Sequence, residues 1–136
     1  MTTPPDIRRI NPPELGEPPG YSQVVEVQAR RIIFIAGQTS LDASGNVVGA
    51  GDFDAQVAQV FKNLRIALGA VGCTAANLVK LTVFLRDMDN LAAYRVARNA
   101  FFATVSPPAA PAVTLVEVSR LYGSQFLIEI EAIAAG

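Results

Sequence analysis

The hydrophobic positions between residues 53 and 71 recur every three or four residues, which predicts an amphipathic helix. Asp52 precedes this stripe as the expected N-cap. A second stripe predicts another helix over about residues 89–105, with Arg98 inside its apolar arc and Arg95 at the rim. The apolar members of the two stripes are Phe53, Val57, Val60, Phe61, Leu64, Leu68 and Val71, and then Leu91, Tyr94, Phe101, Phe102 and Val105.

Five further segments have the residue pattern of β-strands. Residues 78–86 alternate between apolar and mixed positions with the two-residue period of a strand. The segment from Ile32 to Ala36 is apolar throughout, which predicts a strand covered on both faces. Shorter strands are predicted over residues 23–28, 113–118 and 126–134. The order ββαβαββ, without an internal repeat or a linker, indicates one α+β domain.

Proline separates the first twenty residues from the rest, because six of the nine prolines lie there. Proline fixes φ and removes an amide donor, so residues 1–20 are predicted to form an extended arm and residues 21–136 a single domain. Hydrophobic residues make up 51% of the chain and charged residues 17%. Two helices cover one face of a sheet, so the surplus apolar surface predicts that copies of the chain associate through the other face.

Composition also excludes several function classes. Eleven basic and twelve acidic residues give a net charge of −1, which argues against nucleic acid as a partner. The chain has no His and a single cysteine, Cys73, so we predict neither a disulfide nor a metal. No signal peptide and no apolar run of roughly 20 residues is found, so we expect a cytoplasmic protein without a membrane partner. The glycines do not form a phosphate-binding loop.

Two groups of charged residues are candidates for chemistry. Glu129 and Glu131 are expected to point to the same face of the last strand, about 7 Å apart. Near apolar neighbours they would have a raised pKa or hold a water molecule, whereas near a sheet edge they would simply face solvent. Arg98, within an apolar stripe, and Arg95 beside it must reach water, pair with an acid or bind an anion.

Several short motifs from Gly20 onward resemble those of the Rid family, the YjgF-like reactive intermediate deaminases. The matching segments are Gly20-Tyr21-Ser22-Gln23, Ala36-Gly37-Gln38, Gln56 with Asn63-Leu64, Val79-Lys80-Leu81-Thr82-Val83-Phe84, Arg86-Asp87, Phe101-Phe102, Val116-Glu117-Val118 with Arg120-Leu121, and Ile128-Glu129-Ile130-Glu131-Ala132-Ile133-Ala134. This resemblance implies a chorismate-mutase-like α+β fold, with a mixed sheet and two helices on one face. It also implies a homotrimeric barrel with ligand clefts between subunits.

The same resemblance implies an activity. Active Rid proteins hydrolyse enamines and imines released by pyridoxal-phosphate enzymes, giving keto acids and ammonia without a cofactor of their own. In that family an arginine after a Pro-Ala pair binds the substrate carboxylate, and the first glutamate of the last strand positions water. Here Val113 follows Pro111-Ala112, while Glu129 matches the glutamate. Because Val113 offers neither charge nor hydrogen bonds, the usual 2-aminoacrylate-type substrate should bind poorly.

The resemblance assigns the remaining site positions. Tyr21 matches the family's tyrosine, Leu115 stands where many members have Cys, and Arg95 stands where many have Asn. We therefore predict Glu129 as the catalytic residue. The predicted substrate-binding residues are Tyr21, Ala36, Gly37, Phe84, Arg95, Arg98, Val113 and Leu115.

Three functions are consistent with these residues. The first is a divergent Rid hydrolase in which Arg95 or Arg98 replaces the missing anion anchor. The second is a small-ligand binder without turnover, whose cleft is predicted to be mostly apolar around Phe84, Val113 and Leu115. The third is the ribonuclease or translation-inhibitor role sometimes attached to the family, which the near-neutral charge does not favour.

Overall fold

A computed structural model describes residues 3–136, which form six strands and two α-helices. In chain order these are β1 (Asp6–Ile10), β2 (Val24–Gln28), β3 (Ile32–Gln38), α1 (Phe53–Ala70), β4 (Leu78–Leu85), α2 (Leu91–Phe102), β5 (Ala112–Glu117) and β6 (Ile128–Ala135). No helix in the described range is long and apolar enough to cross a membrane.

A four-stranded mixed sheet forms the centre of the fold. Its strand order is β3-β6-β4-β5, in which β4 and β5 are parallel and the other pairs are antiparallel. Both helices pack on one face of this sheet, which confirms the predicted architecture. Their buried side chains meet the inward-facing residues of the strands, including Leu81, Val83, Ile128 and Ile130. We call this side the helix face and the opposite side the outer face.

Helix α1 begins and ends close to the predicted positions. The Asp52 side chain accepts a hydrogen bond from the amide of Ala55 at 3.1 Å and so caps the helix. Gly72, with φ of +73°, lies just beyond the last turn in a conformation that glycine adopts without strain. The predicted stripe is buried from Phe53 to Leu68, so the helix is held mainly by its contacts with the sheet and with α2.

The outer face of the sheet has no helix over it. Phe34, on strand β3, is 76% exposed, and Ile32 on the same strand is also exposed. The apolar strand predicted to be covered on both faces is therefore covered on one face within a single copy. Lys80 and Thr114 mark the same surface, where the lysine Nζ donates a hydrogen bond to the threonine Oγ1 at 2.7 Å.

The structure differs from the predictions most clearly in the arm, in helix α2 and at the start of β6. The arm contains strand β1, which pairs with β2 as a separate two-stranded sheet, and Arg8 and Glu26 form an ion pair across it at 2.7 Å. The prolines flank this strand instead of interrupting it, so its amides remain available for pairing. Helix α2 is shorter than expected at both ends, because a separate 3-10 turn precedes it and Phe102 ends it. Strand β6 begins at Ile128, two residues later than predicted.

Replacing Leu64 with Ala is expected to lower the free energy of unfolding by about 2–5 kcal/mol, because its fully buried side chain leaves a cavity between helix and sheet. The matched control is Ile66→Ala on the same helix, where the side chain is 60% exposed and the change should stay within about 0.5 kcal/mol. Urea denaturation at one protein concentration measures both. Equal losses in the two variants would contradict the orientation of α1.

Candidate functional site

The segment that follows the arm is fastened to the beginning of strand β5. The amide of Ser22 donates a hydrogen bond to the carbonyl of Pro111 at 3.0 Å, and Ser22 pairs with Ala112 in an isolated parallel bridge. Ser22 is buried, and its hydroxyl donates to the carbonyl of Ala110. These contacts hold Tyr21 beside the start of β5.

A cavity of about 260 Å³ opens at this point on the helix face. It is lined by Tyr21, Leu91, Tyr94, Arg95, Arg98, Val113 and Leu115. Val113 and Leu115 reach the helix face because their register partners on β4 are the buried residues Leu81 and Val83. Five of the nine predicted site residues therefore lie around one cavity, which we call the arginine cavity.

Arg98 is held by the protein itself. Its side chain is 6% exposed, and its Nη2 atom donates to the carbonyl of Pro19 at 3.3 Å and to Oδ1 of Asn99 at 3.2 Å. A Cβ at residue 20 would lie 2.6 Å from this Nη2 atom, so Gly20 permits the close approach. The guanidinium carbon also lies 5.9 Å from the ring centre of Tyr94. The Arg98 guanidinium thus uses its hydrogen bonds mainly to fix the arm against α2.

Arg95 differs from Arg98 in its exposure and in its hydrogen bonding. Its side chain is exposed, and the ion pair found among residues 3–136 joins Arg8 to Glu26, so Arg95 has no acidic partner in that range. It lies three residues before Arg98, on the same face of α2. Arg95 therefore presents a guanidinium to the arginine cavity that the described chain does not neutralise.

Tyr94 is a lining residue that the sequence did not single out as functional. It is fully buried and stacks against Phe61 with ring centres 6.3 Å apart, as expected for a core aromatic. Its hydroxyl, however, has no hydrogen-bond partner among the described residues. Burial raises the pKa of Tyr94 to about 12, although the positive charge of Arg98, the nearness of its guanidinium to the hydroxyl and the positive charge of Arg95 all act in the opposite direction. The four-residue spacing of Tyr94 and Arg98 was the available signal, since it places both on one helix face.

Glu129 lies on the outer face, away from the arginine cavity. Its register partner on β4 is Phe84, and it lies against Gly37 on the other side. A side chain at residue 37 would collide with the Glu129 carboxylate, so glycine is needed there. Burial raises the pKa of Glu129, and the negative charge of Glu131 raises it further. A raised pKa is one of the alternatives that the sequence leaves open for Glu129, and the carboxylate is only partly screened from solvent.

Ala36 and Phe84 belong with Glu129 and not with the arginine cavity. Ala36 lines a separate outer-face cavity of about 540 Å³ together with Thr82 and Glu131. Within a single copy, Phe84 does not share a cavity with Val113 and Leu115, so the apolar cleft expected between copies stays a prediction. Strand alternation puts Phe84 on the outer face and the other two on the helix face. The nine predicted residues thus form two groups on opposite faces of one sheet.

Comparisons with known sequences all point to the same protein family. The family model described as endoribonuclease L-PSP matches residues 15–136. A RutC family protein of Pyrococcus horikoshii is 39% identical over 114 residues, which span 84% of this chain and 85% of that protein. The 2-iminobutanoate/2-iminopropanoate deaminase of mouse is also 39% identical over 114 residues, covering 84% of this chain and 79% of the mouse protein.

Solved structures agree with these sequence matches. The Rid-family protein YyfB of Yersinia pestis, described as a protein of unknown function, superposes with a TM-score of 0.86 at 34% identity, over 96% of this chain and 98% of that chain. A RidA protein from a Psychrobacter species superposes with a TM-score of 0.68 at 31% identity, over 85% of this chain and 88% of that chain. Since the family model spans nearly the whole chain and the fold agrees, this protein belongs to the endoribonuclease L-PSP family, the YjgF/Rid proteins.

Proposed function

We propose that this protein hydrolyses a reactive enamine or imine that carries an anionic group, in clefts formed between copies of the chain. The observation that carries this proposal is the unpaired guanidinium of Arg95 in the same cavity as Tyr21 and Val113. A charged donor at that place supplies what valine at position 113 lacks. The deaminase names of the mouse and Salmonella typhimurium relatives support the reaction class.

Assembly follows from the position of the two residue groups. Glu129 and the arginine cavity lie on opposite faces of the same sheet, so one small ligand cannot reach both within a single copy. A neighbouring copy that presents its outer face to the arginine cavity would complete the site. The exposed Phe34 supports this arrangement, because burial of such a side chain against a second copy is favourable. Three copies related by rotation close such a head-to-tail contact into a trimer.

The proposed chemistry needs water and a base but no cofactor. Glu129 accepts a proton from water as the water oxygen bonds to the imine carbon, and it then returns this proton to the nitrogen to give a carbinolamine. Glu129 next takes the proton of the carbinolamine hydroxyl and passes it to the nitrogen, so that the carbon–nitrogen bond breaks, ammonia leaves and a carbonyl product forms. A carboxylate whose pKa is raised by burial and by the negative charge of Glu131 is a better base for this step than an ordinary surface glutamate.

The substrate is expected to differ from that of arginine-bearing relatives. In this chain the anion anchor is on helix α2, at Arg95, and not on strand β5, where Val113 and Leu115 give an apolar wall. The neutral hydroxyl of Tyr94 adds a hydrogen-bond donor beside the two arginines. An anionic group set at a different distance from the reactive carbon than an α-carboxylate would suit this geometry.

Ammonia release from freshly generated imines tests the proposal. Across a panel that includes 2-iminopropanoate and imines with more distant carboxylates, Glu129→Gln should lower kcat by about 10²–10⁴, the usual range for loss of a general base. Arg95→Ala should mainly raise KM, by at least about tenfold, because it removes a charge-assisted contact. Arg65→Ala, an exposed arginine on α1, is the matched control and should resemble the unmodified protein.

Two results of this assay would count against hydrolysis. Equal turnover in Arg95→Ala and Arg65→Ala would remove Arg95 as the anchor. Thermal stabilisation by an imine or keto acid, without any ammonia from the whole panel, would instead favour the ligand-binding function. That alternative rests on the loss of the strand arginine at Val113.

Phe34→Lys is expected to convert the assembly to single copies, because it puts a charge at the centre of the proposed contact surface. The matched control is Ile66→Lys, at an exposed apolar residue on the helix side, which should leave the mass unchanged. Sedimentation velocity at micromolar concentration measures both. A single-copy mass for the unmodified protein would contradict the shared cleft.

The Tyr94→Phe variant tests whether the Tyr94 hydroxyl binds a ligand or stabilises the fold. Because the hydroxyl has no partner, its removal should leave stability near pH 7 unchanged or slightly higher, while ligand-induced stabilisation falls. The folded protein keeps the Tyr94 proton up to a pKa of about 12, whereas the unfolded chain releases it near 10. Stability should therefore fall as pH rises through 10 toward 12, and this fall should be smaller in the variant.

Urea denaturation between pH 8 and pH 11, in steps of about half a unit, gives the comparison. Tyr122→Phe, at an exposed tyrosine, serves as the control and should keep the alkaline slope. A marked loss of stability in Tyr94→Phe near pH 7 would mean that the hydroxyl is bonded within the protein.

A further inference from the structure

A second basic cavity lies at the end of the sheet where β4 finishes. It has a volume of about 450 Å³ and is lined by Arg86, Ser119, Arg120, Leu121, Tyr122 and Ser124. Arg86 is the first residue after β4, and the others belong to the connection between β5 and β6. The cavity shares no lining residue with the arginine cavity, so it is a separate place on the molecule.

Arg86 is fixed in position but not satisfied. Its amide donates to the carbonyl of Leu127 at 3.1 Å, which sets the start of the side chain. The Nε atom is buried and has no hydrogen-bond partner among residues 3–136. A buried N–H group without an acceptor is costly, so its persistence indicates an acceptor that this single chain does not supply.

The acidic residues nearest to Arg86 in the sequence and in the strand register accept hydrogen bonds from backbone amides. The Asp87 carboxylate accepts a hydrogen bond from the amide of Asp89 at 2.8 Å, and the Glu117 carboxylate accepts one from the amide of Met88 at 2.8 Å. Neither forms an ion pair with Arg86 or Arg120 within the described part of the chain. Two guanidinium groups thus share one cavity without a carboxylate to neutralise them.

We propose that this cavity binds a phosphate-sized oxyanion, either free phosphate or the phosphate group of a small metabolite. Two positive charges in one cavity repel each other, and a doubly charged oxyanion relieves that repulsion. Planar guanidinium groups match the oxygens of such an anion, and the hydroxyls of Ser119 and Ser124 supply neutral donors at the same place. This site is independent of the hydrolysis proposed above.

Calorimetric titration of the full-length assembled protein with inorganic phosphate tests the site, at constant ionic strength set by chloride. Saturable binding is expected, and Arg120→Gln and Arg86→Gln should each weaken it at least about tenfold through loss of charge-assisted hydrogen bonds. Arg65→Gln, at an exposed arginine outside the cavity, is the matched control. Arg120 is exposed, so its variant remains informative even where Arg86→Gln disturbs folding.

Two further titrations, with a phosphate monoester and with acetate, decide which anion the cavity binds. A phosphate monoester such as glycerol 3-phosphate that binds more tightly than phosphate identifies a metabolite as the ligand, whereas tighter binding of phosphate itself identifies the free ion. Acetate binding as tightly as phosphate would overturn the assignment to a doubly charged anion. Undetectable phosphate binding would overturn the site, and it is the result expected if a carboxylate of a second copy occupies the cavity. Equal phosphate binding by Arg120→Gln and Arg65→Gln would also overturn the site.

Discussion

The side chains of a β-strand alternate between the two faces of its sheet, and this constraint governs where chemistry is available in the protein. Because both helices pack on one face, the side chains of β4 and β6 that point to that face are buried in the core. The outward positions carry Phe84 and Glu129, which therefore share a surface with no cover of its own. Val113, only one strand away, faces the other side. Because the helices cover only one face of the sheet, some of the predicted site residues lie on the covered face and the others on the exposed face.

Residues with a strong periodic pattern were placed correctly from the sequence. Helix α1 repeats its apolar stripe over five turns and has a capping aspartate, so local propensity and tertiary packing favour the same structure. Strand β1 is different, because DIRRI has no apolar alternation over its five residues. It is fixed by pairing with β2 and by the ion pair between Arg8 and Glu26, which are contacts between segments far apart in sequence. Periodicity carries no information about such pairing.

The sequence supplied the candidate residues but not how they lie relative to one another. Helical spacing placed Arg98 inside the apolar stripe, and the fold agrees, yet its bond to the Pro19 carbonyl depends on how the arm returns to α2. Tyr94 looked like an ordinary core aromatic, since a missing hydrogen-bond partner is visible only once all neighbours are placed. The separation of Phe84 from Val113 likewise follows from register and from which face the helices cover.

The close approach of Gly20 and Arg98 ties the identities of two distant positions together. Any side chain at residue 20 would occupy the space of the guanidinium, and a φ of +81° already favours glycine there. A shorter residue at position 98 would remove the donor that secures the Pro19 carbonyl and would relax the demand for glycine. Arg98 can therefore change only at the expense of the arm contact, whereas the positive φ still favours glycine at residue 20 after the guanidinium is gone.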